Sequence, residues 1–169
     1  MLVVGGAGYI GSHMVKLLTE AGYPVTVLDN LSTGFADAAR YGDLVTGDLA
    51  DSALLDRLFA KRAFAAVLHF AALSQVGESV QVPDRYYRNN VANTLNLLDA
   101  MRRHGVDKFI FSSTAAIFGE PQYTPINERH PAQPINPYGR SKRMVEEMLA
   151  DLGHSYGLRS VCLRYFNAA

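Results

Sequence analysis

Three glycines at three-residue spacing, Gly5, Gly8 and Gly11, follow the apolar run Leu2-Val3-Val4 and lead into a stretch with helical periodicity. Nothing else in the chain narrows the fold as much. A strand that enters such a turn and leaves it as a helix lets backbone approach an anion, because no Cβ intervenes. The first-turn N–H groups then present partial positive charge. Gly6, Gly8 and Gly11 fit a second frame, and the sequence leaves both open. Glycine patterns alone recur in structural turns; the context gives this one its meaning. An acid, Asp29, stands 18 residues beyond Gly11 at the end of the next apolar run. There a carboxylate accepts hydrogen bonds from an adenosine ribose and repels a 2′-phosphate, so NAD is expected over NADP. Asp48, after the third run, either meets the adenine amino group or caps a turn.

Short apolar runs at 2–4, 25–28, 44–46, 66–70, 109–112 and 161–165 read as buried strands. Amphipathic stretches separate them. Met14, Leu17, Leu18 and Ala21 mark one helix face, ended by Gly22. Leu54, Leu55, Leu58 and Phe59 mark another, opened by Asp51 or Ser52. A long helix over 84–104 carries Val91, Leu95, Leu98 and Met101 and ends at Gly105; one over 138–154 carries Met144, Val145, Met148, Leu149 and Leu152. This alternation predicts an α/β fold, a doubly wound parallel sheet covered on both faces, with Rossmann-like topology. Residues 115–137 lack periodicity and hold five of the seven prolines. An irregular loop of that length tends to be functional, and its position before the last helix places it beside the active cleft.

Sixteen basic and sixteen acidic residues balance, which leaves no electrostatic footprint for nucleic acid or anionic membranes, so neither partner is expected. The single cysteine, Cys162, excludes an internal disulfide and a cysteine metal cluster, and its neighbours suggest a buried strand thiol. No metal is expected, since the five histidines show no ligand spacing. His69, closing an apolar run, reads as a satisfied buried imidazole. Leu2-Val3-Val4 is too short for a signal core, and no apolar run nears the roughly 18 residues of a membrane span. A soluble, cytoplasmic protein is the expectation.

The second informative stretch is Pro137-Tyr138-Gly139-Arg140-Ser141-Lys142. On a helix Tyr138 and Lys142 share one face. A free phenol is a poor base at neutral pH, and a nearby ammonium favours phenolate and brings it into range. Ser112, Ser113 and Thr114 run off the carboxyl end of the fifth strand, the edge that faces the ligand crevice in open α/β sheets. The Thr114 hydroxyl there can orient a reacting alcohol between Tyr138 and the nicotinamide, or merely cap a turn. A chain with both stretches is expected to move a hydride between a bound nicotinamide and an alcohol carbon.

With these motifs in order, the chain resembles the extended short-chain dehydrogenase/reductases, and within them the UDP-glucose 4-epimerase family. The resemblance covers nearly the whole length, through Gly5 to His13, Leu28-Asp29-Asn30-Leu31, Gly47-Asp48, His69-Phe70-Ala71-Ala72, Gly77-Glu78-Ser79-Val80, Tyr86 to Val91, Phe111 to Thr114, Pro137 to Lys142 and Leu163 to Asn167. It implies that Tyr9, Ile10, Asp29, Asn30, Leu31, Ser32, Thr33, Gly34, Asp48, Leu49, Phe70, Ala71, Ala72, Ser74, Asn89, Ser112 and Tyr165 line an NAD site, with Phe166 beside the nicotinamide. Ser74 replaces a lysine found in some members. Tyr138 is implied as base, Lys142 as its electrostatic partner and ribose contact, Thr114 as second hydroxyl and Asn167 as substrate contact.

The implied activity is NAD-dependent epimerisation at C4 of a UDP-hexose through a transient 4-keto sugar, with UDP-glucose and UDP-galactose as substrates. A homodimer built on the helices around 84–104 and 138–154 is also implied. Where the family continues into a smaller nucleotide-sugar domain, this sequence stops at Ala169. Residues 1–169 are therefore expected to form a cofactor domain truncated before its substrate domain, with weak or absent turnover alone. Two alternatives stay open. A sugar-nucleotide 4,6-dehydratase shares the tyrosine but calls for an acidic pair after the threonine, where this chain has Ala115-Ala116. A non-catalytic NAD-binding sensor would need no intact Thr114, Tyr138 and Lys142 set.

Overall fold

A computed structural model of the chain describes residues 1–168. The predicted strands form as β1 (Leu2–Val4), β2 (Thr26–Asp29), β3 (Asp43–Thr46), β4 (Val67–His69), β5 (Lys108–Ser112) and β6 (Arg159–Leu163). All pair in parallel in the order β3-β2-β1-β4-β5-β6. Val3 lies opposite Val27 on one side and Leu68 on the other. The chain thus builds outward from β1 in one direction, then returns and builds in the other from β4. A crevice opens where the direction reverses, beyond the carboxyl ends of β1 and β4.

Side chains alternate across the sheet. Leu2 and Val4 pack with Leu55 and Phe59 of α2 (Ser52–Lys61), Leu97 and Met101 of α5 (Asn93–Arg103), and Val145 and Leu149 of α6 (Pro137–Tyr156). Val3 and Val27 point the other way, against Val15 of α1 (Tyr9–Glu20). Each such side chain, once buried, contributes about 1.5–3 kcal/mol. The coverage expected on both faces is therefore unequal: three helices on one, α1 on the other. Val161 and Leu163, on the lightly covered face of β6, are exposed.

Helix ends follow local chemistry. The Asp51 carboxylate accepts the Leu54 N–H at 2.9 Å to open α2, and the Asn136 side chain accepts the Gly139 N–H at 2.8 Å to open α6. Pro137 occupies the first helical position, where its missing N–H costs nothing.

The helix expected over 84–104 contains an irregularity. A short α4 (Pro83–Tyr86) passes through a π-helical turn over Tyr87–Ala92 into α5, with helical dihedrals across both junctions. The wide turn slips the face: Leu97 is buried while Leu95 is exposed, and the successive residues Asn89 and Asn90 both face inward. α3 (Val76–Gln81) is a further element without a sequence signal. The proline-rich segment is not structureless. It opens with a 3-10 turn over Ala115–Phe118 and packs Ile117 and Phe118 against Ile126 and Ala132. His130 is buried within it, its Nδ1 3.0 Å from the Pro131 carbonyl and its Nε2 accepting the Gln122 N–H at 3.0 Å.

Candidate cofactor and active site

The crevice at the reversal point is an open cleft of about 720 Å³, within the range of small-molecule and cofactor sites. Its floor is the glycine turn, and the structure resolves which frame matters. Gly5 has a φ of +78°, and a Cβ on it would come 2.4 Å from the Ala71 nitrogen. Gly6 instead lies under the Val15 and Val27 side chains. The working frame is Gly5, Gly8 and Gly11. Gly8 caps α1 without a side-chain hydrogen bond, and no acid stands in the first turn. The N–H groups of that turn are left for a ligand, as a dinucleotide pyrophosphate requires. The residues therefore fit the cofactor that the sequence implies.

Asp29 anchors the turn as well as facing the cleft. Its two carboxylate oxygens accept the Ala7 and Leu31 N–H groups, each at 2.9 Å. Each oxygen keeps a further lone pair for a ribose hydroxyl. Asp48 accepts the Ala50 N–H at 2.8 Å and the Asn30 side-chain amide at 2.7 Å, so turn capping accounts for part of its role.

On the opposite wall stand Ser112, Thr114, Tyr138, Lys142, Tyr165, Phe166 and Asn167. Burial raises the Tyr138 phenol above its ordinary pKa, the Thr114 hydroxyl opposes this, and the Tyr165 phenol adds to it. The lowering expected from Lys142 is not among these influences. The Lys142 ammonium turns inward, donates to the Ser112 carbonyl at 2.8 Å and lies 4.7 Å from the centre of the Phe111 ring. Sharing a helix face brings two side chains together at their stems, while a four-carbon chain carries its tip elsewhere. The Ser112 hydroxyl in turn bonds the Tyr165 phenol.

Lys142 is 3% exposed, and burial lowers its pKa from 10.5 to about 7. The unfolded chain then binds more protons than the folded one between those values, so stability rises with pH across that window and the penalty is complete below it. Lys142→Met is expected to raise the unfolding free energy of the unliganded chain at pH 6 by on the order of 1–4 kcal/mol, read as a higher urea midpoint. The advantage shrinks as pH climbs toward 10. An equal or lower midpoint for the variant at pH 6 would contradict the burial argument.

His69 is buried but only half satisfied. Thr94 Oγ1 donates to the Asn90 carbonyl at 2.8 Å, so the proton between Thr94 Oγ1 and His69 Nε2, 2.9 Å apart, belongs to the imidazole. Nδ1 is left without a partner. Burial first, and Lys142 second, push the ring down to about 3, so it stays neutral.

Of the residues expected at the cofactor, Leu31 and Gly34 do not reach the cleft wall. Leu31 packs toward the α1 side of the sheet, with a φ of 57°. Gly34 lies against Ala7, where a Cβ would come 2.7 Å from the backbone. The other residues expected there line the cleft. Sequence reasoning missed Leu73, Val76 and Asn93 on the wall, and Ala115, Ala116, Pro121 and Ile126 from the proline-rich segment. The last four carried a signal in that segment's length and position; the first three carried none. Among the described residues no group of three or more His, Cys, Asp or Glu side chains is placed to hold a metal, and no helix is long and apolar enough to cross a membrane.

Comparisons with known proteins converge. The family model described as "NAD dependent epimerase/dehydratase family" matches residues 1–169. The chain is 53% identical over 169 residues to a UDP-glucose 4-epimerase of Rhizobium leguminosarum bv. trifolii, covering 100% of this chain and 52% of the relative. It is 54% identical over 170 residues to one of Azospirillum brasilense, covering 100% and 49%. Among solved structures it resembles UDP-glucose 4-epimerase from Brucella ovis in complex with NAD, at TM-score 0.98 and 55% identity, over 99% of this chain and 52% of that one. The enzyme of Thermotoga maritima with UDP-glucose matches at TM-score 0.93 and 40% identity, over 97% and 54%. The chain spans about half the length of the curated relatives it matches.

Proposed function

Since the chain belongs to the NAD-dependent epimerase/dehydratase family, we propose that it forms the cofactor-binding and proton-transferring half of an enzyme that inverts C4 of a UDP-hexose. One observation supports this reading above the others. Tyr138 and Thr114 line the same cleft as the uncapped first turn of α1, so a dinucleotide with its pyrophosphate on that turn extends toward two hydroxyls. NAD would be held by Gly5, Gly8, Tyr9, Ile10 and Gly11 at the pyrophosphate, by Asp29 at a ribose, and by Ser112, Tyr165 and Phe166 toward the nicotinamide. When bound it supplies a hydride acceptor and donor, so C4 passes through a ketone and returns with either configuration.

The chain's own residues do the rest. Tyr138 takes the proton of the C4 hydroxyl and returns it. Thr114 fixes that hydroxyl beside the phenol. Lys142 carries a charge that a neighbouring phenolate would stabilise, and it would be the residue to hold a ribose hydroxyl of the cofactor. Asn167, at the cleft mouth, contacts the sugar nucleotide.

The test uses the protein at the length of its relatives, loaded with NAD and given UDP-glucose carrying deuterium at C4. The reading expects NADH absorbance to appear transiently and the label to remain at C4 of a mixture of UDP-glucose and UDP-galactose. Label lost to solvent would contradict the proposal, and a dehydrated sugar would redirect it to the dehydratase branch of the same family.

A further inference from the structure

We propose that Ser141 is a positioning residue that ties the cofactor-side loop after β4 to the first turn of α6, and so holds Tyr138 against Thr114. This rests on the reading of Tyr138 as the base. Ser141 is fully buried and makes two hydrogen bonds of opposite sense. Its hydroxyl donates to the carbonyl of Tyr138 at 2.7 Å and accepts from Asn90 Nδ2 at 3.0 Å.

Asn90 is 3% exposed and has no capacity to spare. Its Nδ2 also donates to the Leu73 carbonyl at 3.0 Å, while its Oδ1 accepts the Leu73 N–H and the Asn89 side-chain amide, both at 2.9 Å. Leu73 and Asn89 line the cleft. Ser141 therefore closes a continuous path from the cofactor wall to the backbone of the base.

The path passes through the π-helical turn over Tyr87–Ala92, where Asn90 is buried and the neighbouring Asn89 lines the cleft, and such turns recur at functional sites. A buried network with every donor and acceptor matched also favours a single geometry over its neighbours. Carbonyls in the first turn of a helix are already used within it, and a serine hydroxyl returning to the third residue before it adds a second bond there. That second bond fixes the angle at which the helix starts, and Tyr138 is the second residue of α6.

Removing the hydroxyl should loosen Tyr138 from Thr114, the group that holds the phenol's pKa down. The experiment is a pH titration of Tyr138 by NMR, using tyrosine labelled at Cζ and assigned by difference from Tyr138→Phe, with and without NAD. Ser141→Ala is compared with the parent chain, alongside NAD affinity and the urea midpoint. The expected result is a Tyr138 pKa higher by about half a unit or more, with NAD affinity within about twofold. An unshifted titration overturns the proposal. So does a fall in the urea midpoint with the titration unchanged, since that is a packing role only. The readout needs no turnover, so a failure of the epimerase reading leaves the titration decisive for Ser141.

Discussion

Tyr138→Phe is expected to lower turnover by at least about a thousandfold while NAD affinity stays within about twofold. The substitution removes one oxygen and keeps the ring. Tyr138 is half-buried at the second position of α6, and the Asn136 cap and Pro137 that set the start of that helix do not touch the phenol oxygen. The helix should therefore begin in the same place, and the glycine turn proposed to hold the pyrophosphate lies across the cleft, untouched. What disappears is the group that the proposed function assigns to accept the C4 proton. Thr114 is no substitute, because its Oγ1 already accepts the Ala116 N–H at 3.1 Å and an alcohol is a far weaker acid than a phenol, so it supplies no ionised oxygen to take a proton near neutral pH. The measurement is kcat for the protein at the length of its relatives, with NAD affinity by fluorescence titration. A variant retaining a tenth of the parent rate would remove Tyr138 from the role of base.

The pH profile carries the same argument. In the unliganded chain the phenol stands above its ordinary value, because burial outweighs Thr114. Lys142, lowered to about 7, is on the verge of losing its proton at neutral pH. In the unliganded chain neither group shifts the other: burial alone lowers the amine, and the phenol answers to burial, Thr114 and Tyr165. The i,i+4 spacing of Tyr138 and Lys142 therefore sets their stems on one face without pairing the ammonium with the phenol oxygen.

The direction of the Lys142 ammonium shows where sequence reasoning stops. The fourfold spacing placed Tyr138 and Lys142 on one helix face, and they are. It could not say that the ammonium reaches back to the Ser112 carbonyl, because that depends on how close α6 lies to β5. The six strands were legible because each contains a short apolar run bounded by turn residues, fully buried in β1 and β4 and partly exposed in the edge strands β3 and β6. The π-helical turn was not. Val91, Leu98 and Met101 continue a credible stripe across it, and only the exposure of Leu95 and the burial of Leu97 reveal the slip. The glycine frame stayed ambiguous because Gly5 and Gly6 both satisfy a spacing rule. The close approach of Ala71, which only Gly5 tolerates, is a contact between residues 66 positions apart.

The glycines also yield the sharpest separation of fold from binding. Gly11→Ala is expected to destabilise the chain by at least about 3 kcal/mol, and Gly8→Ala to leave stability within about 0.5 kcal/mol. A Cβ on Gly11 would come 2.2 Å from the Gly5 carbonyl oxygen and 2.9 Å from the Gly6 Cα. Both are backbone, in the turn that joins β1 to α1 at the centre of the sheet, so neither can move without displacing the core. A Cβ on Gly8 would meet only the Gly5 oxygen, at 3.4 Å, an ordinary contact, and its φ of −80° suits any residue. Gly8 nevertheless lines the cleft where the first turn of α1 opens. A methyl there occupies space that a pyrophosphate needs for close approach to the backbone, so Gly8→Ala should weaken NAD at least about tenfold while folding normally. Urea midpoints and NAD titrations on the 169-residue chain decide the matter. Were Gly8→Ala to bind NAD as the parent does, the pyrophosphate would have to sit away from the α1 terminus, and the orientation that brings the nicotinamide to Tyr138 would lose its anchor.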